Sequence, residues 1–200
     1  MENSARQKTE DPILLIDASI FIFRSYFSLP DNWFSEQDSY PTAAVYGYTN
    51  FLLQLLENQR PDVIAACYDE SLNTCFRNEL YPEYKSSRDL PDEALAFQLN
   101  ACRQVGELMG IPSFASTRYE ADDLLGTLVR LLSDNDRPIA LLTRDKDLGQ
   151  LIRRPQDFLW DANFKSGADI NTQRMFTEDI IEKFGVRPEQ LVDYLALVGE

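Results

Sequence analysis

The chain has 200 residues, 44% of them hydrophobic and 26% charged, which is the composition of a folded domain with a substantial core and not of a disordered segment. It carries 33 acidic residues against 19 basic ones, a formal charge of −14. Net charge therefore does not draw it to nucleic acid or to anionic membranes, and any such binding needs a local basic patch. There is no histidine, which excludes Ser–His–Asp and Cys–His catalysis and every histidine-ligated metal site.

The three cysteines, Cys67, Cys75 and Cys102, show no C-x-x-C spacing; they read as buried free thiols of a reducing, cytoplasmic compartment. No apolar run approaches the ~20 residues that span a bilayer, so no membrane is expected as a partner.

In chain order, residues 1–11 form a polar leader without the apolar stretch of a signal peptide. Ile13-Leu14-Leu15-Ile16 is a continuous apolar run, the mark of a strand buried on both faces, and it ends in Asp17. Residues 28–41 are polar and turn-rich. Residues 42–58 place Val45, Tyr48, Leu52 and Leu55 at helical spacing, and Pro61 follows. Residues 62–68 form a second buried strand ending in Asp69. Residues 71–91 lose apolar periodicity, and Arg77, Lys85 and Arg88 stand there among aromatics.

Residues 92–109 are helical and capped by Gly110. Residues 111–114 read as a short strand. Residues 120–132 form a strong helix with Leu124, Leu128 and Leu131/Leu132 on one side. Residues 138–143 form a third clear strand, followed by Asp145 and a short helix to Ile152. Phe158-Leu159-Trp160 reads as a further strand, and helices over 177–184 and 188–198 close the chain. The alternation defines an α/β class: a mainly parallel twisted sheet flanked by helices, in one domain spanning 12–200. The chain has no G-x-G-x-x-G and no Walker loop, which argues against a nucleotide-cofactor fold.

The acidic residues fall at informative places. Asp17 and Asp69 follow strands; Asp145 and Asp147 follow the 138–143 strand; Glu120, Asp122 and Asp123 open a helix. Singly, each has a plain structural role, as a turn former or a complement to a helix dipole. In open parallel sheets, however, ligands bind outside the carboxyl ends of the strands, so these seven positions converge on one rim. Glu120 aligns with Leu124 and Leu128, and Asp122 with Leu125 or Gly126 and Val129; both extend the apolar side of the helix, which a dipole role does not require. Asp123 aligns with Thr127 and Arg130 and is the outermost of the three, suited to acting through a water.

Clustered carboxylates repel unless protonated or bound to cations, and an all-oxygen donor set suits Mg²⁺ or Mn²⁺. Two such ions, about 4 Å apart, would serve phosphodiester hydrolysis without histidine. Segment 76–88 offers Arg77, Lys85 and Arg88 with Tyr81 and Tyr84, a potential phosphate clamp with rings for unpaired bases; its plainer reading is a solvated loop with self-paired charges. Arg24 is a further candidate to touch phosphate.

Together these motifs resemble the 5′-nuclease family: the 5′→3′ exonuclease domain of bacterial DNA polymerase I and the stand-alone flap endonucleases. The resemblance runs from about Ile13 to the chain end. It rests on Leu15-Ile16-Asp17-Ala18-Ser19, Pro41-Thr42-Ala43-Ala44-Val45-Tyr46-Gly47, Tyr68-Asp69 with Phe76-Arg77, Tyr84-Lys85-Ser86-Ser87-Arg88, Glu120-Ala121-Asp122-Asp123 and Asp145-Lys146-Asp147-Leu148.

It implies a PIN-like fold with two or three divalent ions. Asp17, Asp69, Glu120, Asp122 and Asp123 would form a first metal site, and Asp145 and Asp147 would contribute to a second. It also implies an arch over about 71–91 whose Lys85 and Arg88 meet the scissile phosphate, with Arg77 nearby. The implied activity is divalent-metal-dependent 5′→3′ exonuclease or 5′-flap endonuclease cleavage of DNA. Asp17 and Asp122 (through metal) and Lys85 carry the chemistry, in a monomer that a polymerase or other domain can follow.

The departures are Tyr68 for the usual Phe, Ala43 in the small-residue turn, Arg144 where Gly is frequent, and the stop at Gly199-Glu200. The family pattern continues there with an aspartate, a Ser-Asp-Asn run and a Gly-rich hairpin that grips duplex. The competing readings are therefore a non-catalytic or partially active DNA-binding module lacking that grip, and a PIN-type ribonuclease.

Overall fold

The computed structural model describes residues 11–37, 39–71, 74–87, 90–163 and 173–199. All but the last residue of the expected leader, and also Arg88 and Glu200, lie outside the described residues. A six-stranded sheet runs in the order β3-β2-β1-β4-β5-β6. The strands are β1 (Ile13–Asp17), β2 (Ile64–Asp69), β3 (Ser113–Ser116), β4 (Ile139–Leu142), β5 (Phe158–Asp161) and β6 (Gln173–Phe176). The first five are parallel, and β6 joins the β5 edge antiparallel.

The apolar runs of β1 and β4 are explained by burial on both faces: all five residues of β1 and all four of β4 are buried. Alternate side chains serve two cores. Leu14 and Ile16 pack with α1 (Ala18–Ser28), α2 (Ala43–Gln59) and α4 (Glu93–Leu108) on one face. Ile13 and Leu15 pack with α5 (Ala121–Leu132), the 3-10 segment Lys146–Leu151 and α6 (Thr177–Phe184) on the other. The three cysteines are free and buried. No helix among the described residues is long and apolar enough to cross a membrane.

Gly47 lets α1 and α2 meet closely. A Cβ at this position would lie 2.5 Å from Ser25 Cβ and 2.8 Å from Leu29 Cδ1. Gly47→Ala must push the helices apart, so chemical denaturation should show a loss of about 1–3 kcal/mol even though alanine favours helix. An unchanged midpoint would mean that the contact is relieved at no cost.

Five local expectations need correction. Strand β3 starts at Ser113, two residues later than the apolar run suggested. Gly110 sits at φ 77° and the Ile111 N–H still bonds back to Gly106 O, so the chain is completing the helix end there. Residues 146–151 form a 3-10 turn, and the last helix is split into a 3-10 turn at Pro188–Gln190 and α7 (Leu191–Val198). The non-periodic stretch 71–91 contains a one-turn helix, α3 (Phe76–Leu80). Strand β6 was not expected at all: two of its four residues are exposed, so no apolar run marks it, and Arg174 packs over the rings of Phe158 and Trp160.

Candidate metal centre and its cleft

The chain winds outward from β1 in both directions, through β2 and β3 on one side and β4 and β5 on the other. The switch point of the sheet is therefore beside β1, where open α/β sheets bind ligands. Asp17 ends β1 and Asp69 ends β2, while Thr143 and Asp145 follow β4. Helix α5 starts against the same rim, with Glu120 as its N-cap and Asp122 and Asp123 in its first turn.

Asp17 is only 4% exposed. Its carboxylate accepts the Thr143 hydroxyl at 2.9 Å. That same hydroxyl accepts the Asp145 N–H at 3.0 Å, so one side chain aligns two of the carboxylate-bearing positions. Burial, then the charges of Asp122 and Asp145, push the Asp17 carboxyl up to about 7. Burial, then Asp145 and Glu120, push Asp122 up to about 6. Asp69 receives the Ser71 hydroxyl at 2.9 Å, and its N–H donates to Ser19 Oγ. Asp145 accepts the Asp147 N–H at 2.8 Å and so caps the 3-10 turn.

Two cations of the non-periodic segment, Arg77 and Lys85, reach this rim and sit on carboxylates. Lys85 Nζ lies 2.6 Å from Glu120 Oε1, and the Tyr84 hydroxyl donates to Glu120 Oε2 at 3.0 Å. Arg77 forks onto Asp123 at 2.7 and 2.8 Å, with Glu120 at 3.2 Å. Burial alone would raise the Asp123 carboxyl; the Arg77 fork and the Glu120 N–H outweigh it and hold the group low. These residues edge a cleft of about 810 Å³ that also exposes Asp122, Asp145 and Asp147.

The seven carboxylates singled out from the sequence thus share one rim. Among the described residues no three of them stand close enough together to hold an ion as they are. Glu120 and Asp123 are engaged by Lys85, Tyr84 and Arg77, and Asp17 by Thr143.

Arg24 pairs with Asp161 Oδ1, at the end of β5, at 2.7 Å and bonds Ala162 O at 3.0 Å. Arg144 binds the other oxygen of Asp161 at 3.0 Å. Arg88 lies outside the described residues. The sequence reading missed Thr143, Ser19 and Ser71, which orient the aspartates. Their signal was weak but present, since each lies within two residues of a strand-end aspartate.

The donor set fits divalent cations. It is all oxygen, and burial, reinforced by neighbouring carboxylates, pushes two of its members, Asp17 and Asp122, up to about 7 and about 6.

An α/β domain that gathers carboxylates, and no histidine, at its switch point beside a cleft edged by cations and tyrosines is a PIN-like nuclease domain in fold and layout. Residues 12–185 match the family model described as 5′-3′ exonuclease, N-terminal resolvase-like domain, and the chain belongs to that family. It is 32% identical over 188 residues to the 5′-3′ exonuclease of Aquifex aeolicus, covering 94% of this chain and 61% of that protein. It is 33% identical over 192 residues to the DNA polymerase I of Pseudomonas aeruginosa, covering 96% of this chain and 20% of that one.

The chain therefore spans less than two thirds of either relative. The fold matches that of the bacteriophage T5 D15 flap endonuclease, solved as a pseudo-enzyme-product complex with DNA and metal ions. That match has a TM-score of 0.64 at 21% identity and covers 94% of this chain and 66% of the other.

Proposed function

We propose that this chain hydrolyses DNA phosphodiester bonds near free or flapped 5′ ends, using Mg²⁺ or Mn²⁺ held at the rim. The observation that carries the reading is the Asp17–Asp122 pair. These are two carboxylates pushed up to about 7 and about 6 in a histidine-free chain, at the switch point of the sheet and beside the ammonium of Lys85. Asp17, Asp69, Glu120, Asp122 and Asp123 would form one cation site, with Asp145 and Asp147 contributing to a second. The ions would supply Lewis-acid stabilisation of the charge that builds on the phosphate and on the departing oxygen.

The remaining work falls to this chain's own groups. Thr143 holds Asp17 and the Asp145 backbone in register, and Tyr84 holds Glu120. Lys85, whose ammonium lies on Glu120 at this rim, would direct its charge to the phosphate oxygens. Water's oxygen forms a bond to phosphorus as one ester bond breaks, and the departing oxygen ends as a hydroxyl. A polymerase or other domain joined after this segment is in keeping with the longer relatives, as is work on DNA inside the cell.

A second reading, a binding module that does not cut, is favoured by the engagement of Glu120 and Asp123 with cations. One assay separates the two. A labelled 5′-flap oligonucleotide should yield short product with Mg²⁺ and none with chelator; tight binding without product would support the module.

A further inference from the structure

We infer that the cleft at the carboxylates continues along α5 as a track for the unpaired 5′ strand, ending on Arg130 and Arg153. The inference deepens the proposed nuclease reading and rests on it for the polarity of the strand.

Helix geometry underlies the track. Asp122, Gly126 and Arg130 are spaced i, i+4 and i+8 on α5, so they line one face in a row. The row spans about 12 Å, eight residues at ~1.5 Å each, which matches three or four stacked nucleotides at ~3.4 Å each. At one end are the carboxylates. At the other a second cavity of about 410 Å³ begins, and the two hollows share Gly126, Arg130 and Leu151 as a common border. Gly126 keeps that border low: a Cβ there would meet nothing nearer than Leu151 at 3.5 Å.

The far cavity has the two components that single-strand sites use. Val129 and Leu151, both partly exposed, give apolar walls against which bases can lie. Arg130 and Arg153 are exposed, and among the described residues neither forms an ion pair with a carboxylate. Arg77 and Lys85, the cations at the carboxylate end of the cleft, are by contrast both paired. Two unpaired guanidiniums beside an apolar hollow, in a protein of charge −14, are suited to phosphate. The hollow is too small for a duplex. The partner it fits is the single-stranded segment 5′ of the bond being cut.

The test is Arg130→Glu with Arg153→Glu in the whole chain, and Arg130→Lys with Arg153→Lys as the charge-preserving control. Binding of a fluorescent single-stranded oligonucleotide is read across a salt series. Cleavage is read on flaps with tails of two and of ten nucleotides. The charge reversal should weaken oligonucleotide binding about tenfold near 0.1 M salt and lower the salt slope by about 1.4, two phosphate contacts at ~0.7 each. It should raise KM for the long tail while leaving the short tail unchanged, and the lysine pair should restore most of the effect.

Equal losses on both tails, or unchanged binding and slope, would overturn the track. The nuclease reading fails separately. If the unaltered chain cuts neither flap but the salt slope still falls in the double variant, the track stands and the activity does not.

Discussion

Asp122→Asn should abolish cleavage and, at the same time, stabilise the metal-free protein at pH 8. On the proposed function, the first effect follows from removing a charged oxygen donor from the divalent-cation site. Loss of several kcal/mol of transition-state stabilisation is more than about a thousandfold in rate.

The second effect follows from linkage. The folded-state carboxyl is pushed up to about 6 by burial and by Asp145 and Glu120, above its unfolded value. Between those two pH values the native protein holds a proton that the unfolded chain has lost. Stability therefore falls as pH rises through that window, and the full penalty is present at pH 8. The same sign holds for Asp17, whose window extends to about 7. A neutral amide removes the penalty, worth about 2 kcal/mol, or about 4–8 °C in Tm for a chain of this size.

Differential scanning calorimetry with chelator, at pH 5 and pH 8, checks this: the gain should be full at pH 8 and about half as large at pH 5, which lies between the unfolded and folded values. Mg²⁺ should raise the Tm of the unaltered protein at pH 8, and less so as protons compete for the same oxygens toward pH 6. A variant that is inactive and destabilised at pH 8 would mean that Asp122 holds the fold together and is not a strained ligand. A variant that still cuts would refute the metal assignment.

Lys85→Ala should lower kcat by about a hundredfold while changing KM by less than about threefold. On the proposed function, Lys85 stands where phosphate charge builds in the transition state, and a contact that strengthens there acts on kcat. Its backbone sits at φ 53°, a left-handed conformation rare for a side-chain-bearing residue, and its ammonium is drawn onto Glu120 at 2.6 Å. Holding that backbone conformation costs about 1–3 kcal/mol.

The substitution also leaves Glu120 with one fewer cation. In the absence of DNA the protein should therefore bind Mg²⁺ more tightly than the unaltered chain, measurable by calorimetric titration. Lys85→Arg should recover part of the rate. If KM rises a hundredfold and kcat holds, the lysine is a tether for the ground-state phosphate.

Much of this was legible in the residues. The unbroken apolar runs of β1 and β4 announced strands buried on both faces, and an aspartate at or just beyond each end placed the candidate site, because parallel strands all present their carboxyl ends to one rim. The i, i+4 pattern of α5 aimed Glu120 and Asp122 inward, and both are indeed on the side facing the rim. The absence of histidine narrowed the chemistry to oxygen donors.

Other features had no local signature. Strand β6 pairs through its backbone at an exposed edge, where no apolar period is needed. The hydroxyl of Thr143, which joins Asp17 to Asp145 across 126 residues of chain, becomes a positioning group only when β1 and β4 lie side by side.

What the sequence by itself determined is the class of the fold and the kind of atom at its site, since both depend on local pattern and on which residue types are present. Only the tertiary structure decided which charges meet. Arg24, read as a phosphate contact, is neutralised by Asp161, 137 residues away; Arg77 and Lys85 rest on Asp123 and Glu120; Arg130 and Arg153 remain unpaired among the described residues. Charge pairing is set by distances of a few ångströms between segments far apart in the chain, and Coulomb energy at such distances outweighs any preference that the neighbouring sequence can express.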